Sequence, residues 1–269
     1  MITPSFHLIG LPTDCNSSFA RGPAEAPAAI REALWSDRGN LAAEDGQEIG
    51  HDFLLEDHGD LPLIEAAADD ATITTAVTAS LASGSIPILL GGDHAVSFPI
   101  VQAIAAKHGP VNILHFDAHP DIYDDFEGNP RSHASPFARI LEGGLCRRLV
   151  QVGIRTLNRH CREQAARFGV EIVPMADFSP GKVPVLDGPL YISLDLDGFD
   201  PSEAPGVSHP EPGGLRVREV LSILHAQTGQ IVGADIVELN PRFDAHDRTA
   251  ILAAKLVREV AATASRNLR

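Results

Sequence analysis

Ile86-Pro87-Ile88-Leu89-Leu90 is five apolar residues in a row, followed at once by Gly91-Gly92-Asp93-His94. A strand with one wetted face alternates apolar and polar residues. A run with no polar member needs cover on both faces, the condition of a strand inside a parallel sheet. The pattern recurs: runs of strand length lie at 6–10, 86–90, 111–116, 149–152, 171–173, 190–194 and 231–237. Helical stretches separate them at 26–34, 66–81, 98–107, 163–168, 217–225 and 250–264. Strand–helix–strand alternation makes parallel pairs joined by right-handed crossovers. The reading is an α/β fold, a three-layer αβα sandwich on a mostly parallel central sheet. Residues 37–60, 123–132 and 174–189 are rich in Gly, Pro or acidic residues and read as irregular. Periodic segments resume beyond each, and no internal repeat is present. One domain over residues 1–269 is therefore expected, a length that one core can hold.

Charge narrows the partners. With 21 Lys+Arg against 36 Asp+Glu the formal net charge is −15, which repels a nucleic-acid polyanion and suits a small cation. No apolar run approaches the roughly 18–20 residues of a membrane span, so no membrane partner is expected. Cys15, Cys146 and Cys161 are odd in number and show no CxxC spacing, which argues against a disulfide framework or zinc ribbon. Residues 1–7 lack a basic cluster followed by a long apolar stretch. A reduced, cytoplasmic location is the expectation.

Ligands of open α/β sheets bind beyond the carboxyl ends of the strands, so the residues after each apolar run carry the chemistry. Run 86–90 leads to His94. Run 111–116 ends in His115-Phe116 and leads into Asp117-Ala118-His119-Pro120-Asp121. Run 190–194 leads into Asp195-Leu196-Asp197-Gly198-Phe199-Asp200-Pro201. Alternate residues of an extended segment point the same way. Asp117, His119 and Asp121 thus share one face, as do Asp195 and Asp197. With His94 they make four carboxylates and two imidazoles. Four buried anions repel one another unless cations intervene, and two dications balance them. One tetrahedral zinc would leave ligands over. Oxygen ligands mixed with imidazole favour Mn²⁺ or a similar ion. Singly, each element has a plainer meaning: a loop histidine for His94, a turn for Asp200-Pro201, and a helix cap for Asp93, which keeps that role here. Gly91-Gly92 lacks the further glycines and lysine of a phosphate cradle.

With these motifs the chain resembles the ureohydrolases, the arginase and agmatinase family. The likeness rests on Gly91-Gly92-Asp93-His94, Asp117-Ala118-His119-Pro120-Asp121 and Ser193-Leu194-Asp195-Leu196-Asp197. It rests also on Asp200-Pro201, Ala204-Pro205-Gly206 and Asp235-Ile236-Val237-Glu238-Leu239-Asn240-Pro241, and it runs from about residue 6 to residue 261. The resemblance implies the arginase-type sandwich, two Mn²⁺ per chain, a homo-oligomer (hexamer or trimer), and hydrolysis of a guanidino compound to urea and an amine. It implies one metal on His94, Asp117, Asp121 and Asp195, and another on Asp117, His119, Asp195 and Asp197, with Asp117 and Asp195 bridging. Glu238 would hold the guanidinium, Asp121 would carry a proton to the leaving amine, and His133 would exchange protons with solvent. Plant-type arginases and bacterial agmatinase-like relatives are the nearest in pattern, through His119-Pro120-Asp121-Ile122-Tyr123-Asp124, Ser132-His133-Ala134-Ser135 and residues 204–214. Agmatinases often carry Thr-Gly-Thr where this chain has Val207-Ser208-His209. Ala95 replaces a frequent Ser, and Gly198-Phe199 a bulkier pair.

The far end of the substrate is read from donors near the site. Asn129, Arg131 and Ser132, with Arg155, Asn158 and Arg159, suit an α-carboxylate. The likeness to plant-type arginases then implies L-arginine, hydrolysed to L-ornithine and urea, over agmatine. Asp124, Asp125 and Glu127 suit an ammonium, so agmatinase and guanidino-acid hydrolase readings stay open. A zinc deacetylase of this architecture would carry a His-His pair, and a non-catalytic relative would have lost ligands. This chain has no His-His pair and keeps all six ligands.

Overall fold

Leu114 and Phe116 leave the sheet on one side, Val111 and Ile113 on the other, and all four are completely buried. That two-sided burial is what an unbroken apolar run demands. The structure, a computed structural model, describes residues 3–268. Its strands are β1 (Ser5–Gly10), β2 (Leu54–Asp60), β3 (Ile86–Leu90), β4 (Val111–Phe116), β5 (Cys146–Val152), β6 (Glu171–Val173), β7 (Pro189–Asp195) and β8 (Gln230–Val237). They form one sheet in the order β2-β1-β3-β8-β7-β4-β5-β6, and every pairing is parallel. Helices α1 (Ala26–Trp35), α6 (Val217–Ala226) and α7 (Arg248–Asn267) pack on one face. Helices α2 (Asp69–Ala82), α3 (Ser97–His108), α4 (Pro136–Glu142) and α5 (Arg159–Phe168) cover the other. Among the described residues no helix is long and apolar enough to cross a membrane.

Two elements differ from the sequence expectation. Residues 54–60, read as irregular, form β2. An edge strand has one neighbour and little cover, so Leu54-Leu55-Glu56-Asp57-His58-Gly59-Asp60 carries no apolar run to betray it. Helix α4 is only seven residues long and opens on Pro136, too short for a period to register. Pro87 is tolerated inside β3 because pairing with β8 begins only at Ile88.

Register decides where the chemistry falls. β3, β8, β7 and β4 are the four central strands, and their ends are aligned: Leu90 pairs with Ile236, Asp195 with Val237, Leu194 with Phe116. The residues just beyond these ends therefore converge. Close approach of the backbone there needs glycine. A Cβ on Gly92 would stand 1.7 Å from the Thr13 carbonyl oxygen, which accepts the Asp93 N–H at 3.0 Å. At Gly198 a Cβ would meet the Asp117 backbone nitrogen at 2.8 Å.

Gly92→Ala must push two backbone segments apart. It is expected to cost about 1–3 kcal/mol or more, seen as a fall of several degrees in thermal unfolding followed by circular dichroism. Gly181→Ala, with open space around its Cβ, is expected to unfold with the parent.

Candidate metal centre

Asp117 and Asp195 occupy equivalent places at the ends of two paired strands, and each makes the same turn. Asp117 Oδ1 accepts the His119 N–H at 2.6 Å, and Asp195 Oδ1 accepts the Asp197 N–H at 2.8 Å. These turns swing His119 and Asp197 back over the strand ends. His94 opens a short 3₁₀ turn whose cap is Asp93, with Oδ1 accepting from the Ala95 N–H at 3.1 Å and Oδ2 from the Asn16 N–H at 2.8 Å. Asp93 thus has the capping role expected of it. Burial, with the Glu238 charge nearby, pushes its carboxyl up to about 7.

The six expected ligands come together in two groups. His94 Nδ1 lies 3.1 Å from Asp121 Oδ2, 3.1 Å from Asp195 Oδ2 and 3.3 Å from Asp117 Oδ2, yet makes no hydrogen bond. His119 Nδ1 lies 3.1 Å from Asp197 Oδ2 and 3.4 Å from Asp117 Oδ1. The two oxygens of Asp117 face different groups, as a bridging carboxylate requires. Asp195 does not share this arrangement. Its Oδ2 faces the first group, but its Oδ1 is engaged by the Asp197 N–H, and the second group gathers only Asp117, His119 and Asp197.

The electrostatics of this cluster fit bound dications. Burial raises the Asp195 carboxyl well above its ordinary value, and Asp197 and Asp117 add to it. Burial likewise lifts Asp197 to about 6, against the pull of His119. Protons are drawn in where positive charge is missing. An orphaned, buried His94 nitrogen aimed at three carboxylate oxygens has the donors to hold a metal ion.

The imidazoles are held in the form that binds metal. His94 Nε2 lies 3.0 Å from Ser193 Oγ, which donates to Asp235 Oδ1 at 2.7 Å. Asp235 Oδ2 accepts the hydroxyls of Ser97 and Tyr191, both at 2.5 Å. With Asp235 fixing the direction of the chain, Nε2 carries a hydrogen and Nδ1 is the nitrogen that faces the carboxylates, free to exchange its proton for a metal ion. His115 does the same for Asp117. Its Nδ1 accepts from Gln151 at 3.0 Å, so its Nε2 donates to Asp117 Oδ2 at 2.8 Å. His115, Ser193 and Asp235 were not among the expected site residues. All three sit inside the quoted motifs, but nothing in spacing alone shows which way a strand residue turns.

A cleft of about 300 Å³ opens onto the cluster, lined by Asp121, His119, Asp195 and Asp197 together with His133, His209, Ser18, Tyr123 and Asn158. His133 Nδ1 meets Glu238 Oε1 at 3.0 Å and its Nε2 meets Ser18 Oγ at 2.8 Å. Burial opposes its charge, but Glu238 outweighs burial and lifts it to about 9. Glu238 lies behind His133 and does not line the cleft. Its Oε1 also accepts the His94 N–H at 2.9 Å, whereas Oε2 is buried with no hydrogen bond. Glu238 and Asp121 both adopt a positive φ, 66° and 49°. Such strain collects at functional sites. His209, another residue not expected at the site, packs its ring 5.0 Å from that of His133.

The donors assigned to the far end of the substrate fare differently. Arg131 turns away, ion-paired to Asp70 at 2.5 Å and lying 4.9 Å over the Phe98 ring. Asn129 bonds Asn16 and the Arg131 N–H, and Ser132 is buried under the Ala134 N–H. Arg155 spends its guanidinium on the carbonyls of Gly153, Asp197, Gly198, Phe199 and Glu211. None of these four lines the cleft, because other backbone and side-chain groups satisfy them first. Asn158 does line it, capping α5 through the Cys161 N–H at 2.9 Å and donating to the Tyr123 hydroxyl.

Comparison with known proteins agrees with this geometry. Residues 4–263 match the model of the arginase family. The chain belongs to the arginase family. It is 50% identical to Arginase 1, mitochondrial, of Arabidopsis thaliana, over 97% of this chain and 82% of that protein. The mitochondrial agmatinase of Gallus gallus is 37% identical over 94% of this chain and 76% of its own length. The solved structure of the arginase from Medicago truncatula superposes with a TM-score of 0.92 at 45% identity, over 97% of this chain and 88% of that one. The cytoplasmic location expected from the cysteines and residues 1–7 is corrected by these relatives, which are named for mitochondria. Compartment follows targeting signals that neither the fold nor the cysteines encode.

For this arginase-family chain stripped of metal, stability is expected to fall between pH 7 and 9. His133, His94 and His119 all bind protons more tightly folded than unfolded. The stabilisation they give is complete below the unfolded value of 6.5 and fades as pH rises toward each folded value, about 9 for His133. Thermal unfolding in chelator should show a loss on the order of 2 kcal/mol across that window. Added divalent cation should abolish it by replacing the protons.

Proposed function

We propose that the protein is a dimanganese ureohydrolase that converts L-arginine to L-ornithine and urea. The observation that carries this reading is the joining of two ligand groups through Asp117 beside a buried carboxylate, Glu238, with one unpartnered oxygen. The donor set names the residues that would hold the ions: His94, Asp117, Asp121 and Asp195 for one, Asp117, His119, Asp195 and Asp197 for the other. Oxygen-rich ligation supports Mn²⁺ for both. Bound there, two dications would lower the pKa of water from about 15.7 toward 7 and so supply a nucleophile at neutral pH.

The chain's own residues do the rest. Glu238 stays ionised: burial opposes its charge, and His133 with the His94 N–H outweighs burial. Its open Oε2 is a fitting acceptor for a planar, charged guanidinium, and it orients that group toward the Asp117 bridge. His133 stands between Glu238 and the cleft, so it yields its place on Oε1 as substrate enters. Asp121 receives the proton released on attack and passes it to the leaving amine. His133, protonated at neutral pH, returns a proton to the amine or to solvent through Ser18. His209 and Tyr123 narrow the cleft around the aliphatic chain, and Asn158 is the donor left for the α-carboxylate.

A panel of arginine, agmatine and guanidino acids scored for urea tests the reading. Arginine is expected to show the highest kcat/KM. A tenfold advantage for agmatine, about 1.4 kcal/mol in transition-state stabilisation, would reverse the substrate assignment. Glu238→Gln is expected to lower kcat/KM about a hundredfold, roughly 2.7 kcal/mol, with metal content kept. Loss of metal in that variant would make Glu238 a support of the ligands rather than a substrate contact.

A further inference from the structure

A second set of metal-ligand side chains lies away from the cleft, on the outermost strand pair. β1 and β2 run parallel with His7 opposite Glu56, and His58 follows Glu56 by two residues, so all three side chains leave the same face. His7 Nε2 is 3.9 Å from Glu56 Oε2, and His58 Nε2 is 4.0 Å from the same oxygen. One ligand atom from each of the three lies within 4.8 Å of the others. The two imidazole rings are 4.0 Å apart at a tilt of 35°. None of the three side chains makes a hydrogen bond to the described residues, so their lone pairs are uncommitted.

Strand geometry alone does not ask for this. Charge on an edge strand discourages pairing with another sheet, and Asp57, ion-paired to Arg31 at 2.9 Å, already supplies it. Two stacked imidazoles, by contrast, repel each other once protonated. Burial, and then His58, hold His7 below its ordinary value, which leaves a neutral nitrogen at physiological pH. Neutral imidazole is the metal-binding form.

We propose that His7, Glu56 and His58 form a second metal site, taking a borderline dication such as Zn²⁺ and clamping the edge strand to the sheet. Ligand atoms about 2.0–2.2 Å from a tetrahedral zinc stand roughly 3.3–3.6 Å apart, so each imidazole nitrogen closes on the Glu56 oxygen by about half an ångström on binding. His7 is the fixed anchor, its side chain only 11% exposed; Glu56 and His58, at 56% and 45%, are free to make that movement. The remaining position faces solvent and takes water. Two imidazoles with one carboxylate prefer zinc to manganese, the reverse of the oxygen-rich centre in the cleft. The two sites therefore sort different metals.

The test uses the full chain with its cleft metals in place, titrated with Zn²⁺ against a chromophoric chelator, with all metals counted by mass spectrometry after desalting. The parent is expected to take up one added zinc at micromolar free Zn²⁺, to keep its other metals, and to melt at a higher temperature. His58→Ala and Glu56→Gln, both at exposed positions, are each expected to weaken that uptake at least tenfold with the cleft metals unchanged. Equal zinc uptake in parent and variants overturns the proposal. So does zinc that enters only in exchange for the metal of the cleft.

Discussion

Four carboxylates converge at the ends of two neighbouring strands, and their mutual repulsion is the constraint that the rest of the molecule answers. Without compensation, burial of Asp117, Asp121, Asp195 and Asp197 in one place would work against folding. The chain meets the problem with local donors and leaves a remainder for cations. Backbone N–H groups of His119 and Asp197 take one oxygen of Asp117 and one of Asp195. His115 takes part of the other oxygen of Asp117. What is left over points at His94 Nδ1 and His119 Nδ1, which have nothing else to bind. The ligand set is thus what remains after the fold has satisfied all it can.

Rigidity comes from a layer of side chains that never reaches the cleft. Asp235 is completely buried and has no cationic partner; three hydroxyls, from Ser97, Tyr191 and Ser193, satisfy it. Those hydroxyls come from α3 and β7, so one carboxylate on β8 ties the helix to the strands and sets the hydrogen of His94. Such a network holds ligand directions only while every member is paired. The same logic explains Arg155, whose guanidinium stitches five carbonyls around the β7 turn and so fixes Asp197 from behind.

Much of this was legible in the sequence, for a physical reason. Strands covered on both faces have no choice but to be apolar throughout, so β3, β4, β7 and β8 announce themselves, and the residues just after them gather in the candidate site. β2 stayed hidden because an edge strand obeys no such rule. The cap at Asp93 followed from residue type, since a carboxylate accepts N–H bonds wherever a turn begins. The far end of the cleft was misjudged in the case of Arg131. A flexible side chain of that length has many partners within reach, and Asp70 and Phe98, distant in sequence, outcompete the cleft. His115 was passed over although it sits two residues from Asp117, because its worth depends on Gln151 in the next strand.

The sheet order carries a consequence for how such a chain is made. A polypeptide emerging from the ribosome as far as β6 has the material for two separate three-stranded halves, β2-β1-β3 and β4-β5-β6. No strand pairing joins them until β7 and β8 enter the gap between β3 and β4, and with them come Asp195, Asp197 and Glu238. The centre therefore closes last, through contacts between residues more than a hundred positions apart, the kind whose loop-closure entropy slows folding. Capture of metal by all six side chains would in this sense wait on the joining of the two halves.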